Sequence, residues 1–139
     1  MRAVLDTGVL VAALRSATGA SRKLLIAAMD RRIEMVITAP LLLEYEAVLK
    51  RPEHLDAAGA TANDIDVILD QIAATAHCIK VHYLWRPCLK DANDDLVLEA
   101  AVNGEAAVVA TFNLKDFRPA MDRFAVRFMQ PAELWTMVR

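Results

Sequence analysis

The chain has 139 residues, 56% of them hydrophobic and 24% charged, which suits one globular domain (residues 1–139) with a full core. A net charge of −2 excludes a generally cationic nucleic-acid binder, so any such contact must use a local basic patch. Two cysteines, Cys78 and Cys88, exclude a disulfide framework and fit a reducing compartment.

In chain order, RAVLD (2–6) reads as a short buried strand ending in Asp6, and GVLVAALR (8–15) as the start of a helix. SATGAS (16–21) breaks the pattern before SRKLLIAAMDRR (21–32), whose apolar spacing is helical. IEMVITA (33–39) is rich in β-branched residues and predicts a second strand. Pro40 suits the first turn of a helix over 40–51 that stops near Pro52, and 53–60 reads as loop or a short turn of helix. Thr61 caps a helix over 61–76, with acids in its first turn. HCIKVH (77–82) is a third strand candidate. A helix over about 93–103 stops at Asn103-Gly104, and AAVVAT (106–111) is an apolar fourth strand. VRFMQ (126–130) is a fifth, followed by a last short helix, PAELWTMVR (131–139).

Strands alternate with helices throughout, and several strands are unbroken apolar runs. That pattern predicts an α/β domain with a mostly parallel sheet of about five strands, covered on both faces. No apolar stretch reaches membrane-spanning length, and the N-terminus opens directly on a strand without a signal-like apolar region. A cytoplasmic location away from membranes is therefore expected.

Sites in such sheets form beyond the carboxyl ends of the strands. Asp6 ends strand one after three apolar residues, where an unpaired buried charge is costly. Glu44 lies near the apolar stripe of its helix, whereas Glu46 points about 200° from Glu44. KDANDDLVLEAA (90–101) crowds Asp91, Asp94 and Asp95 in front of a helix, although one cap is enough to start it. Helix capping and ordinary solvated acids are the plain alternative for all of these. Carboxylates that converge without His or Cys point to a hard cation, magnesium or manganese, and to hydrolysis of a phosphodiester. Arg15, Arg22, Lys23, Lys90, Lys115 and Arg118 could hold a nucleic-acid backbone. Other chemistries fit poorly. His77, Cys78, His82 and Cys88 have irregular spacing for zinc, and no Walker loop is present. VLDTG (4–8) resembles an aspartic-protease triplet, but that fold is almost all β. An α/β phosphatase would need its second aspartate where Gly8 stands.

Together, VLDTGVLVAALRS, PLLLEYEAVLKRPEH, DANDDLVLEAAV and VVATFNLKDF resemble the PIN-domain family, metal-dependent ribonucleases that include the VapC-like toxins of toxin–antitoxin systems. The resemblance spans nearly the whole chain. It implies a three-layer αβα sandwich, with Asp6, Glu44 and Asp94 as catalytic and metal-binding acids on Mg2+ or Mn2+. Asp91 and Asp95 are alternatives to Asp94. It implies Thr111 in a supporting role, with Thr7 beside Asp6 expected to assist; of the basic residues, Arg15, Lys23, Lys90 and Lys115 are the ones expected to face RNA. A small antitoxin and a homodimer are the partners it implies. Two departures stand out. Gly8 occupies a position where such families usually carry Asn, and Asn113 stands at the fourth acid's place, with Asp116 three residues on. The departures favour an alternative in which a catalytically weak PIN-like module binds RNA or protein without cutting.

Overall fold

The computed structural model describes residues 1–83 and 89–139. Cys88, the fourth ligand of the zinc alternative, lies outside the described residues.

The first strand, β1 (Arg2–Leu5), is buried from Ala3 onward and passes directly into helix α1 (Thr7–Arg15). Helix α2 (Ala20–Met29) follows and ends earlier than its sequence pattern predicts, because Arg31 turns into the left-handed region at φ 61. Strand β2 (Glu34–Ile37) leads into α3 (Ala39–Leu49), whose N-terminus is closed by the Thr38 side chain accepting from Leu41 N–H. Pro52 does more than stop α3. It opens a further helix, α4 (Pro52–Ala58), which ends at Gly59 with φ 63, so the segment expected to be loop or a turn is a two-turn helix. The N-cap predicted at Thr61 is present and forms a capping box with Asp64 at the start of α5 (Ala62–Thr75).

The third strand, β3, is only His77–Cys78, shorter than expected, because it lies at the sheet's edge with both residues exposed. Helix α6 (Ala92–Asn103) carries the acidic cluster at its start. It stops at Gly104, where a Cβ would run into Val36, Ile79 and the Ala100 carbonyl. Strand β4 (Val108–Ala110) is followed by two short elements not foreseen in the sequence, a 3-10 turn (Leu114–Phe117) and helix α7 (Arg118–Met121). Strand β5 (Arg127–Met129) and helix α8 (Pro131–Val138) complete the chain.

The sheet order is β3-β2-β1-β4-β5, and every pair is parallel, so the expected mostly parallel sheet is wholly parallel. Val4, Leu5, Val36, Ile37, Val109 and Ala110 are fully buried, as strands covered on both faces require. The architecture is the three-layer α/β type. Among the described residues, no helix is long and apolar enough to cross a membrane.

The order of the strands positions the site. The chain leaves β1 for β2 on one side and later returns to β4 on the other. The carboxyl ends of β1 and β4 therefore meet at the switch point, where a crevice forms outside the sheet.

Candidate active site

Asp6 sits at that switch point, 6% exposed, as the residue between β1 and α1. Its backbone N–H donates to the Ala110 carbonyl at 2.9 Å, which continues the β1–β4 ladder by one residue. Its carboxylate accepts from Thr7 N–H at 2.8 Å and from the Thr111 hydroxyl at 2.6 Å. Thr111 is itself fully buried and accepts at Oγ1 from Asn113 N–H at 2.9 Å. Thr7 thus supports Asp6 through its backbone, and Thr111 through its side chain. Burial pushes the Asp6 carboxyl above its ordinary range, those two hydrogen bonds oppose the rise, and the charges of Asp91 and Asp116 add to it.

Glu44 and Glu46 behave differently on α3. Glu46 forms an ion pair with Lys50 at 3.1 Å. Glu44 is half-buried, and its carboxyl is raised by burial, lowered by Arg51, and raised again by Asp91 and Asp6. The next residue, Tyr45, is fully buried and donates its hydroxyl to the Leu5 carbonyl at 2.5 Å. That bond ties the turn of α3 carrying Glu44 to the residue before Asp6.

The three clustered acids have three different placements. Asp91 caps α6, accepting from Asn93 N–H at 2.8 Å. Asp95 turns inward, is 2% exposed, and accepts from Leu89 N–H at 2.9 Å, which anchors the chain entering the helix. Asp94 lines a cavity of about 230 Å³ together with Lys90, Asp91, Lys115, Asp116 and Pro119. Its carboxyl is pushed up to about 7, first by burial and then by the charges of Asp6, Asp91, Asp116 and Asp95. Capping therefore accounts for one of the three acids, a structural tether for another, and neither for Asp94.

Asp116 is the residue that the sequence left aside. It sits on the 3-10 turn after β4, lines the cavity, and raises both Asp6 and Asp94. Asn113, the expected stand-in for a fourth acid, is exposed at the start of that turn, with its backbone N–H on Thr111. The turn folds back by three residues, so a position three places on reaches the cavity. The signal was a Gly/Pro-free LKDF following an apolar strand, too short for a periodicity reading. Gly8 is exposed on the first turn of α1 with open space around it, so packing does not require glycine there.

The basic residues divide as well. Lys90 and Lys115 line the cavity. Arg15, at the far end of α1 from Asp6, contacts His54 at 2.8 Å. Lys23 is exposed on α2, and Arg22 donates to the Ala13 and Leu14 carbonyls at the end of α1. Arg51, which faces Glu44 electrostatically, was not among the expected cations. A second cavity, of about 320 Å³, lies at the amino ends of β4 and β5; its lining includes Ala101, Val102, Phe124 and Val126, and Glu105 is its one ionisable side chain among the described residues. It lacks the convergent polar groups a catalytic site needs.

A family model described as PIN domain matches residues 2–115, well over half of the chain and every element from β1 to β4, ending one residue before Asp116. The chain belongs to the PIN-domain family. No curated protein sequence matches it. PIN domains are commonly nucleases and generally use divalent metal ions, and this PIN domain has the nuclease-like fold.

Among the described residues, no three His, Cys, Asp or Glu side chains stand close enough together to hold an ion as they are. Asp6, Glu44 and Asp94 are not grouped among them as a set of three. The chemistry of the donors still fits a hard cation. All are carboxylates, they come from three separate segments, and each of Asp6, Glu44 and Asp94 is raised first by burial and then by the charge of neighbouring acids, Asp91 among them in every case.

Proposed function

We propose that this PIN domain is a magnesium- or manganese-dependent endoribonuclease, acting as the toxin of a toxin–antitoxin pair. One observation carries the reading. Asp91, Asp94 and Asp116, from the start of α6 and the turn after β4, line one cavity with Lys90 and Lys115, and the charge of Asp6 at the switch point of the sheet acts on Asp94. Carboxylates without His or Cys suit Mg2+ or Mn2+, and lysines beside them suit a phosphodiester backbone.

Asp6, Glu44 and Asp94 would hold the ion, with Asp91 and Asp116 close enough in charge to bind through water. When bound, the cation supplies an activated water and offsets charge on the phosphodiester. Thr111 and Thr7 fix the Asp6 carboxylate so that its oxygens keep one direction. Tyr45 holds α3 against β1. Lys90 and Lys115 draw in the backbone, and burial of Asp94 limits water around the acids.

The test is cleavage of single-stranded RNA with Mg2+ or Mn2+, against EDTA and an Asp6→Asn control. Metal-dependent cleavage that the control loses by about a hundredfold or more supports the reading, since one misplaced acid alone costs that much. RNA binding without cleavage supports the second reading, a catalytically weak binding module. Gly8 favours that alternative, because it leaves the first turn of α1 without a side chain beside Asp6. The small antitoxin would occupy the same basic rim, and the exposed Leu43 and Val67 on α3 and α5 offer apolar contact area for a homodimer.

A further inference from the structure

Phe112 lies between Thr111 and Asn113 and is 49% exposed, a large apolar ring left in water, three residues before Lys115 of the acid-lined cavity. The backbone on both sides is pinned. Thr111 N–H donates to the Met129 carbonyl at 2.9 Å, the Thr111 hydroxyl donates to Asp6, and Asn113 N–H returns to that hydroxyl. The ring is therefore carried one Cα step, about 3.8 Å, from a residue bonded to Asp6. Three residues further on, Lys115 lines the cavity, as does Lys90. An exposed aromatic on stiff backbone, with lysines within reach, is what an unpaired base and its phosphate require.

We propose that Phe112 is the stacking platform for an unpaired nucleobase next to the scissile phosphate of single-stranded RNA. The proposal rests on the ribonuclease reading and adds to it a subsite and a preference. A phenyl ring has no hydrogen-bonding group, so it selects unstacked bases over paired ones without reading their identity. The pinned backbone keeps the ordering cost of the ring low. Lys90 and Lys115 hold the flanking phosphates while the ring covers the base.

The experiment measures the affinity of short single-stranded RNAs for the full chain carrying Asp6→Asn, which prevents cleavage during the measurement. Adding Phe112→Ala should weaken binding by roughly 5- to 100-fold, the usual loss for one stacked base, and leave the salt slope unchanged. Phe112→Trp should keep the affinity. Lys115→Ala should instead lower the salt slope by about 0.7. In a series of RNAs with one abasic position each, the Phe112→Ala loss should vanish for a single position. An equal loss at every abasic position would mean that the ring acts through structure, and overturns the proposal. Unchanged affinity in Phe112→Ala, with Lys115→Ala still weakened, overturns it too and assigns the ring to a protein partner. If the chain without Phe112 or Lys115 changes binds no RNA at all, the ribonuclease reading fails as well, which separates the two failures.

Discussion

Replacing Asp94 with Asn should stabilise the metal-free protein at alkaline pH and do almost nothing in acid. The folded chain holds the Asp94 carboxyl at about 7, against an ordinary value of 3.8. Below 3.8 the group is protonated in both folded and unfolded chains and contributes no pH dependence. Between 3.8 and about 7 the unfolded chain ionises while the folded chain keeps its proton, so stability falls as pH rises. Above about 7 the loss is complete. At about 1.36 kcal/mol per pH unit, that interval corresponds to roughly 4 kcal/mol without screening. The cavity opens to solvent, and screening there leaves about 1–2 kcal/mol. Asn is close to Asp in size and removes the charge, so the variant should exceed wild type by about that amount at pH 8, and by a few tenths of a kcal/mol at pH 5. Urea unfolding in EDTA at the two pH values measures both differences. Manganese should reverse the order, because the cation stabilises the ionised cluster of the wild type only. A variant no more stable than wild type at pH 8 in EDTA would show that the charges of Asp6, Asp91 and Asp116 do not act on Asp94.

Three further outcomes are expected. Asp116→Asn should weaken manganese binding by about 1 kcal/mol, or roughly fivefold, whereas Asn113→Ala should leave it near wild type; calorimetry showing the reverse order would return the fourth position to Asn113. Thr111→Val removes the hydroxyl that donates to buried Asp6 at 2.6 Å. It should cost about 1–3 kcal/mol at pH 7 and less once Asp6 is protonated, read by urea unfolding across that range. A homodimer should persist at tens of micromolar, a range where a specific contact of about 7 kcal/mol holds, and sedimentation showing monomer alone would count against it.

The sequence by itself determined the longer elements and the faces they bury. Apolar runs such as Ala3–Leu5 and Val108–Ala110 mark strands buried on both sides, Thr61 with Asp64 marks a helix start, and Asn103-Gly104 marks a helix end, because each depends on neighbours a few residues away. Asp6 was legible for the same reason: an acid at the end of an apolar strand stands out without any knowledge of its partners. The pairing of Thr111 with Asp6 across 105 residues was not legible, since only the β1–β4 contact brings the two strand ends together. Nor were the separate placements of Asp91, Asp94 and Asp95. A cap, a tether and a cavity wall look alike in one dimension, and the direction of each side chain is set by how α6 packs on the sheet. Asp116 shows the same limit most clearly. A short turn after β4 carries it to the acids that Asn113, nearer in sequence, does not line. Local order follows from local interactions, but a shared electrostatic field arises only where the tertiary fold brings distant charges to one cavity.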